Sequence, residues 1–132
     1  MAGISDYLAK AILDEVFTAV NFVPPVTVYV SLHTADPVGT GANEVAVGAY
    51  ARVASTWGAA VLATHANATT ADAVFPAATA DWGTITHFGV WDALAGGNFL
   101  WGAILPTSQL IQNLDTAKFP AGLLTASLPF NP

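Results

Sequence analysis

The sequence predicts a mainly β fold: an antiparallel β-sandwich or jelly-roll-like domain, 1–132, with one N-terminal amphipathic helix. Three observations carry this expectation. ISDYLAKAILDEVFTAV repeats its apolar residues four apart, VTVYVSLH alternates apolar and polar residues, and further short extended stretches recur between clusters of Gly, Pro, Asp and Asn. Such spacing suits a sandwich or barrel better than βαβ units, and 132 residues suffice for one core.

Taken in order, Ile4, Leu8, Ile12, Val16 and Val20 form a stripe that Tyr7, Leu13 and Phe17 widen, which predicts a helix over about 4–20. Ser5 or Asp6 supplies its N-cap, without the acid three residues on that completes a capping box. Asn21 and Pro24-Pro25 end it. The stripe is wide enough to cover the helix's own sheet, the default, or to pack against a neighbouring copy.

Strands are expected from about 26 to 128. The first places Val26, Val28, Val30 and Leu32 on one face and Thr27, Tyr29, Ser31 and His33 on the other. Later candidates are Tyr50 to Thr56, Gly58 to Thr64, Ala71 to Phe75, Thr84 to Trp91, Asn98 to Leu105 and Gly122 to Leu128. Asp92 to Asn98, with Gly96-Gly97 free to adopt positive φ, reads as a hairpin turn that sets Trp91 across from Trp101. QNLDTAKFPAG reads as the connection between the last two strands.

Composition narrows function. The chain is 54% hydrophobic and 9% charged, against roughly 25% charged residues in an ordinary soluble domain. So few charges cannot cover the surface, and a subunit that hides apolar surface against partners is expected. A net charge of −6, with three basic residues, argues against nucleic-acid binding. Absence of Cys removes thiol chemistry and disulfides. Apolar runs are too short for a membrane helix, and MAGISDYLAK lacks the pattern of a secretory signal, so synthesis in a cytoplasm is expected.

The search for catalytic chemistry gives little. His33, His65 and His87 have no ligand-like local spacing, and the nine carboxylates form no recognisable acid/base pair, with Asp36, Asp81 and Asp92 reading as turn formers. GTGANEV lacks the third glycine and following helix of a phosphate loop. No catalytic, cofactor-binding or metal-binding residue is expected, and no cofactor. Trp57 and Trp82 are candidates for a stacking platform or an interface. The loop that follows His33 is expected to reach outward as an interaction loop through Asp36, Val38, Thr40, Asn43 and Glu44, so that deleting Val38 to Ala42 leaves a folded domain unable to join its partners.

TVYVSLHTADPVGTGANEV, then GAYAR, FPAATADWGTITHFGVWDALAGGN and FPAGLLTASL, in that order, resemble a family of small virion proteins of tailed bacteriophages, often described as tail-fibre or minor structural proteins. The resemblance spans nearly the whole chain. It departs after the YAR triplet, where VASTWGAAVLATHANATT replaces a polar, Gly-rich strand pair. It implies a β-rich structural subunit without enzymatic activity, located in the virion after synthesis in the host bacterium. A capsid decoration or cement protein is the leading expectation, bound to the major capsid protein and held as a homo-oligomer or in a lattice. A tail-fibre or baseplate component among tail proteins is the alternative, with host glycan bound through exposed Trp.

Overall fold

The computed structural model describes residues 3–128. Strands β1 (Gly3–Ile4), β2 (Val28–His33), β3 (Val53–Ser55), β6 (Gly83–Trp91) and β7 (Phe99–Ile111) form a five-stranded antiparallel sheet in the order β1-β7-β6-β2-β3. Two short ribbons, β4 (Ala66–Ala68) with β9 (Thr125–Ser127) and β5 (Ala73–Val74) with β8 (Lys118–Phe119), complete a sandwich-like, mainly β structure. Helix α1 (Asp6–Thr18) lies near the N-terminus.

The hydrophobic core gathers Val30, Leu32, Ile85, Phe88 and Val90 of the sheet with Phe75, Trp82, Phe119 and Leu124 from the ribbons and their connections. Cross-strand register sets Val30 opposite Val90 and Leu32 opposite Phe88, so the predicted apolar face is the core face for Val28, Val30 and Leu32, whereas Val26 precedes the strand and is fully exposed. The other face of β2 is not solvated as the alternation suggests: Ser31 and His33 are fully buried. The loop after β2 folds back over them, with Pro37 buried and Gly41 close against Trp91 and Phe99. Gly89 and Gly102 stand opposite each other, and a Cβ on Gly102 would lie 2.6 Å from Pro37 Cγ. These glycines make the shallow trough that seats the loop.

α1 is shorter at both ends than the expected helix over about 4–20: Ile4 lies in β1, and the chain leaves the helix at Ala19, before Asn21 and the prolines. Ser5 is the N-cap, its Oγ accepting from Leu8 N at 3.0 Å, and Ala19 ends the helix in the left-handed region. The turn between β6 and β7 is as read: Asp92 Oδ1 accepts from Asn98 N at 2.7 Å, while Gly96 and Gly97 take positive φ. The two tryptophans beside it do not pair, because Trp101 faces Val90 and Trp91 faces Phe99 across the strands.

Other boundaries shift for identifiable reasons. β7 runs past Pro106 to Ile111 through an irregularity in its pairing with β6 between Ile85 and His87, the setting in which a strand tolerates proline. Gly58 to Thr64 is not a strand. Val61 bridges Ala66 around a turn whose His65 has φ 50°, and the strand forms afterwards as β4. QNLDTAKFPAG is more than a connection, since it contains β8, which pairs with β5.

Candidate assembly surface

The predicted interaction loop is built around internal bonds. Asp36 Oδ1 accepts from Val38 N at 2.8 Å and Asn43 Nδ2 donates to Asp36 O at 2.9 Å. Glu44 turns inward: Arg52 donates from Nε to Oε1 at 2.8 Å and from a terminal nitrogen to Oε2 at 2.9 Å, and Tyr50 donates to Oε1 at 2.8 Å. The other arm of Arg52 donates to Ala93 O and Gly96 O, and its guanidinium lies 3.7 Å from the Trp91 ring centroid. One planar fork thus ties the loop, β3 and the β6–β7 turn together. Burial, with the Glu44 carboxylate, pushes the Tyr50 hydroxyl well above its ordinary range and keeps it a neutral donor. Val38, Thr40 and Asn43 stay exposed, so the loop presents these residues at the surface rather than reaching away from the fold.

His33 belongs to the same buried layer. Its Nδ1 donates to Ala42 O at 2.7 Å, which leaves Nε2 to accept from Ser31 Oγ at 2.7 Å, and Ser31 Oγ accepts from Trp91 Nε1 at 3.0 Å. Each nitrogen of the ring has its bond, and burial lowers the pKa. Unfolded His33 takes a proton near pH 6.5 and the folded residue does not. The unfolded state therefore binds more protons as pH falls below about 6.5, and stability drops by up to about 1.4 kcal/mol per pH unit until the folded pKa is reached. Urea melts at stepped pH should show this slope in the native chain and a flatter one in His33→Gln.

The sheet brings His33 opposite His87, a pairing invisible in local spacing, yet no group of three or more His, Asp or Glu gathers to hold a metal among the described residues. Trp82 is a core residue, 4% exposed, with Nε1 donating to Gly48 O and its ring edge-on to Tyr50. It offers no free stacking face. Trp57 is half-buried, its Nε1 bonded to Ser55 Oγ at 2.8 Å.

α1 is largely uncovered. None of its thirteen residues is buried. At about 100° per residue, Leu8 and Ile12 turn toward the cleft beside Ile4 of β1, and the neighbouring arc of Leu13, Val16 and Phe17 is left open, at 55%, 67% and 77% exposure. After the helix, Val20, Val23 and Val26 are also exposed, with Val20 and Val23 beside Tyr7, Lys10 and Asp14. The default expectation that the stripe covers its own sheet therefore holds for one edge only. Beside that edge lies an apolar cleft of about 340 Å³, lined by Leu8, Ile12, Trp57, Leu100, Trp101 and Leu128 among others, with no charged residue. The indole Nε1 of Trp101 is buried without a hydrogen-bond partner. The stripe is legible in the sequence but the cleft is not, because its walls come from β1, α1, β2, β4, β6, β7 and β9 and share no local pattern.

The family model described as podophage GP4 fiber I protein gp80 matches residues 3–127. The chain belongs to this family. No curated protein matches it. Membership of the gp80 fiber family makes it a structural, fibre-like protein of a bacteriophage virion, associated with other virion components. It also gives a physical meaning to the quoted motifs. GANEV and GAYAR supply Glu44, Tyr50 and Arg52, so in this member of the gp80 family they build the clamp that holds the loop to the sheet.

Proposed function

We propose that the chain is a non-enzymatic structural subunit of a bacteriophage tail fibre, which assembles with tail proteins through the open face of α1. The observation that carries this reading is the family match together with a helix whose apolar arc its own fold leaves uncovered. A protein with so few charges gains solubility by burying such a face in an assembly. The polar groups support a structural role: His33 is bonded at each ring nitrogen, and Asp72, Asp81 and Asp92 accept from the backbone N–H groups of Ala121, Asn113 and Asn98.

The second reading is a capsid decoration or cement protein bound to the major capsid protein. It is favoured by a small domain with no fibre-like repeat or long coiled coil among the described residues, which suits a plug-in subunit. Immunogold electron microscopy of purified particles tests the two locations. Label at the tail periphery is the expected result; label over the head would replace the fibre reading with decoration, and unlabelled particles that lack the chain would overturn both. Glycan binding, if present, falls to Trp57 rather than Trp82, because only Trp57 retains a partly open face.

A further inference from the structure

We propose that the partner of the open helix face is a second copy of this chain, whose ridge of Leu13, Val16 and Phe17 enters the cleft between α1 and the sheet. This deepens the fibre reading by naming a partner, but it concerns the isolated protein and stands or fails without reference to the particle.

Ridge and cleft are complementary surfaces carried by one molecule. The cleft is walled by Leu8, Ile12, Trp57, Leu100 and Trp101 and holds no charged group, so only an uncharged insert can fill it without the cost of stranding an ion. Phe17 and Leu13 are four residues apart on one helix face and project together. An apolar cavity of about 150 Å³ accommodates a benzene ring, so the 340 Å³ cleft has room for the Phe17 ring and an aliphatic neighbour. Leu13, Val16 and Phe17 are each more than half exposed, so the ridge is free to enter a partner. Each surface asks for the chemistry the other displays, and two copies supply it to each other without a third component.

Because the ridge and the cleft-facing edge occupy different sides of α1, the contact joins unlike patches. A reciprocal pair closes as a dimer, and a head-to-tail arrangement continues into a ring or filament.

Sedimentation velocity of the full chain across a dilution series should show concentration-dependent association. Phe17→Asp, at a position 77% exposed, should keep the native circular dichroism spectrum and weaken association by about thirtyfold or more. A native chain that stays monomeric throughout, or a folded Phe17→Asp chain that associates as tightly, overturns the proposal. The absence of cysteine permits a second, geometric readout. Phe17→Cys protein mixed with Ser127→Cys protein, at the cleft wall, should form a mixed disulfide on mild oxidation. Disulfides confined to Phe17→Cys pairs would mean that ridge meets ridge and would overturn docking into the cleft. Association only with another virion protein would overturn the choice of partner.

Discussion

Replacing Arg52 with alanine is expected to cost about 3–5 kcal/mol of folding stability, the usual penalty for removing one partner of a largely buried, hydrogen-bonded ion pair. The guanidinium side chain is 9% exposed and the Glu44 carboxylate 19%. Truncation strands that carboxylate with only the Tyr50 hydroxyl as side-chain donor, and it releases Ala93 O and Gly96 O from the same group. For a domain of this size the loss corresponds to a fall in Tm of about 10–20 °C, readable in a circular dichroism melt. Arg52→Lys should recover only part of it, because an ammonium cannot reproduce the two-pronged contact or the stacking over Trp91. A change in Tm of less than about 3 °C for Arg52→Ala would show that the clamp contributes no more than an exposed surface pair.

Phe75→Ala should be of similar size, about 3–5 kcal/mol, through a different mechanism. Phe75 follows β5, is 2% exposed, stacks on Tyr50 at 6.3 Å between centroids and meets Phe119 edge-on at 5.9 Å. Its ring joins the β5–β8 ribbon to the aromatic group of Tyr50 and Trp82. Truncation therefore leaves a cavity at the seam between the ribbon and the rest of the core, where collapse is hindered because Tyr50 is also held by its bonds to Glu44 and Leu32 N. Urea denaturation measures the loss as a lower midpoint, and a midpoint shift worth less than about 1 kcal/mol would show that the seam repacks.

These two residues also illustrate what a sequence displays and what it conceals. Periodicity exposes features written locally: the helix with its Ser5 cap, the apolar face of β2, and the turn anchored by Asp92 with Gly96 and Gly97. The match to a known pattern points to the virion family through GANEV and GAYAR. What those motifs do is not local, since Glu44 and Arg52 meet only after β2 and β3 pair and the loop folds back. For the same reason Ser31 and His33 look like solvent-facing residues in an alternating strand and are buried beneath that loop. Two- and three-residue strands such as β4 and β8 are too short to carry a period, and Pro106 argues for a strand end that the irregular pairing of β7 avoids. Trp82 is indistinguishable from an exposed aromatic until Gly48 O and Tyr50 are brought to it. The candidate surface divides in the same way: the stripe is legible in the spacing of Leu13, Val16, Phe17 and Val20, whereas the cleft exists only once seven elements converge.

The open face of α1 is proposed as a contact surface within a fibre. Cryo-electron microscopy of intact particles, resolved well enough to place this domain, tests it most directly. Density for the domain is expected in the tail fibre, with Leu13, Val16 and Phe17 covered by an adjoining chain. Domains located there with that face open to solvent, and contacts made elsewhere, would contradict it.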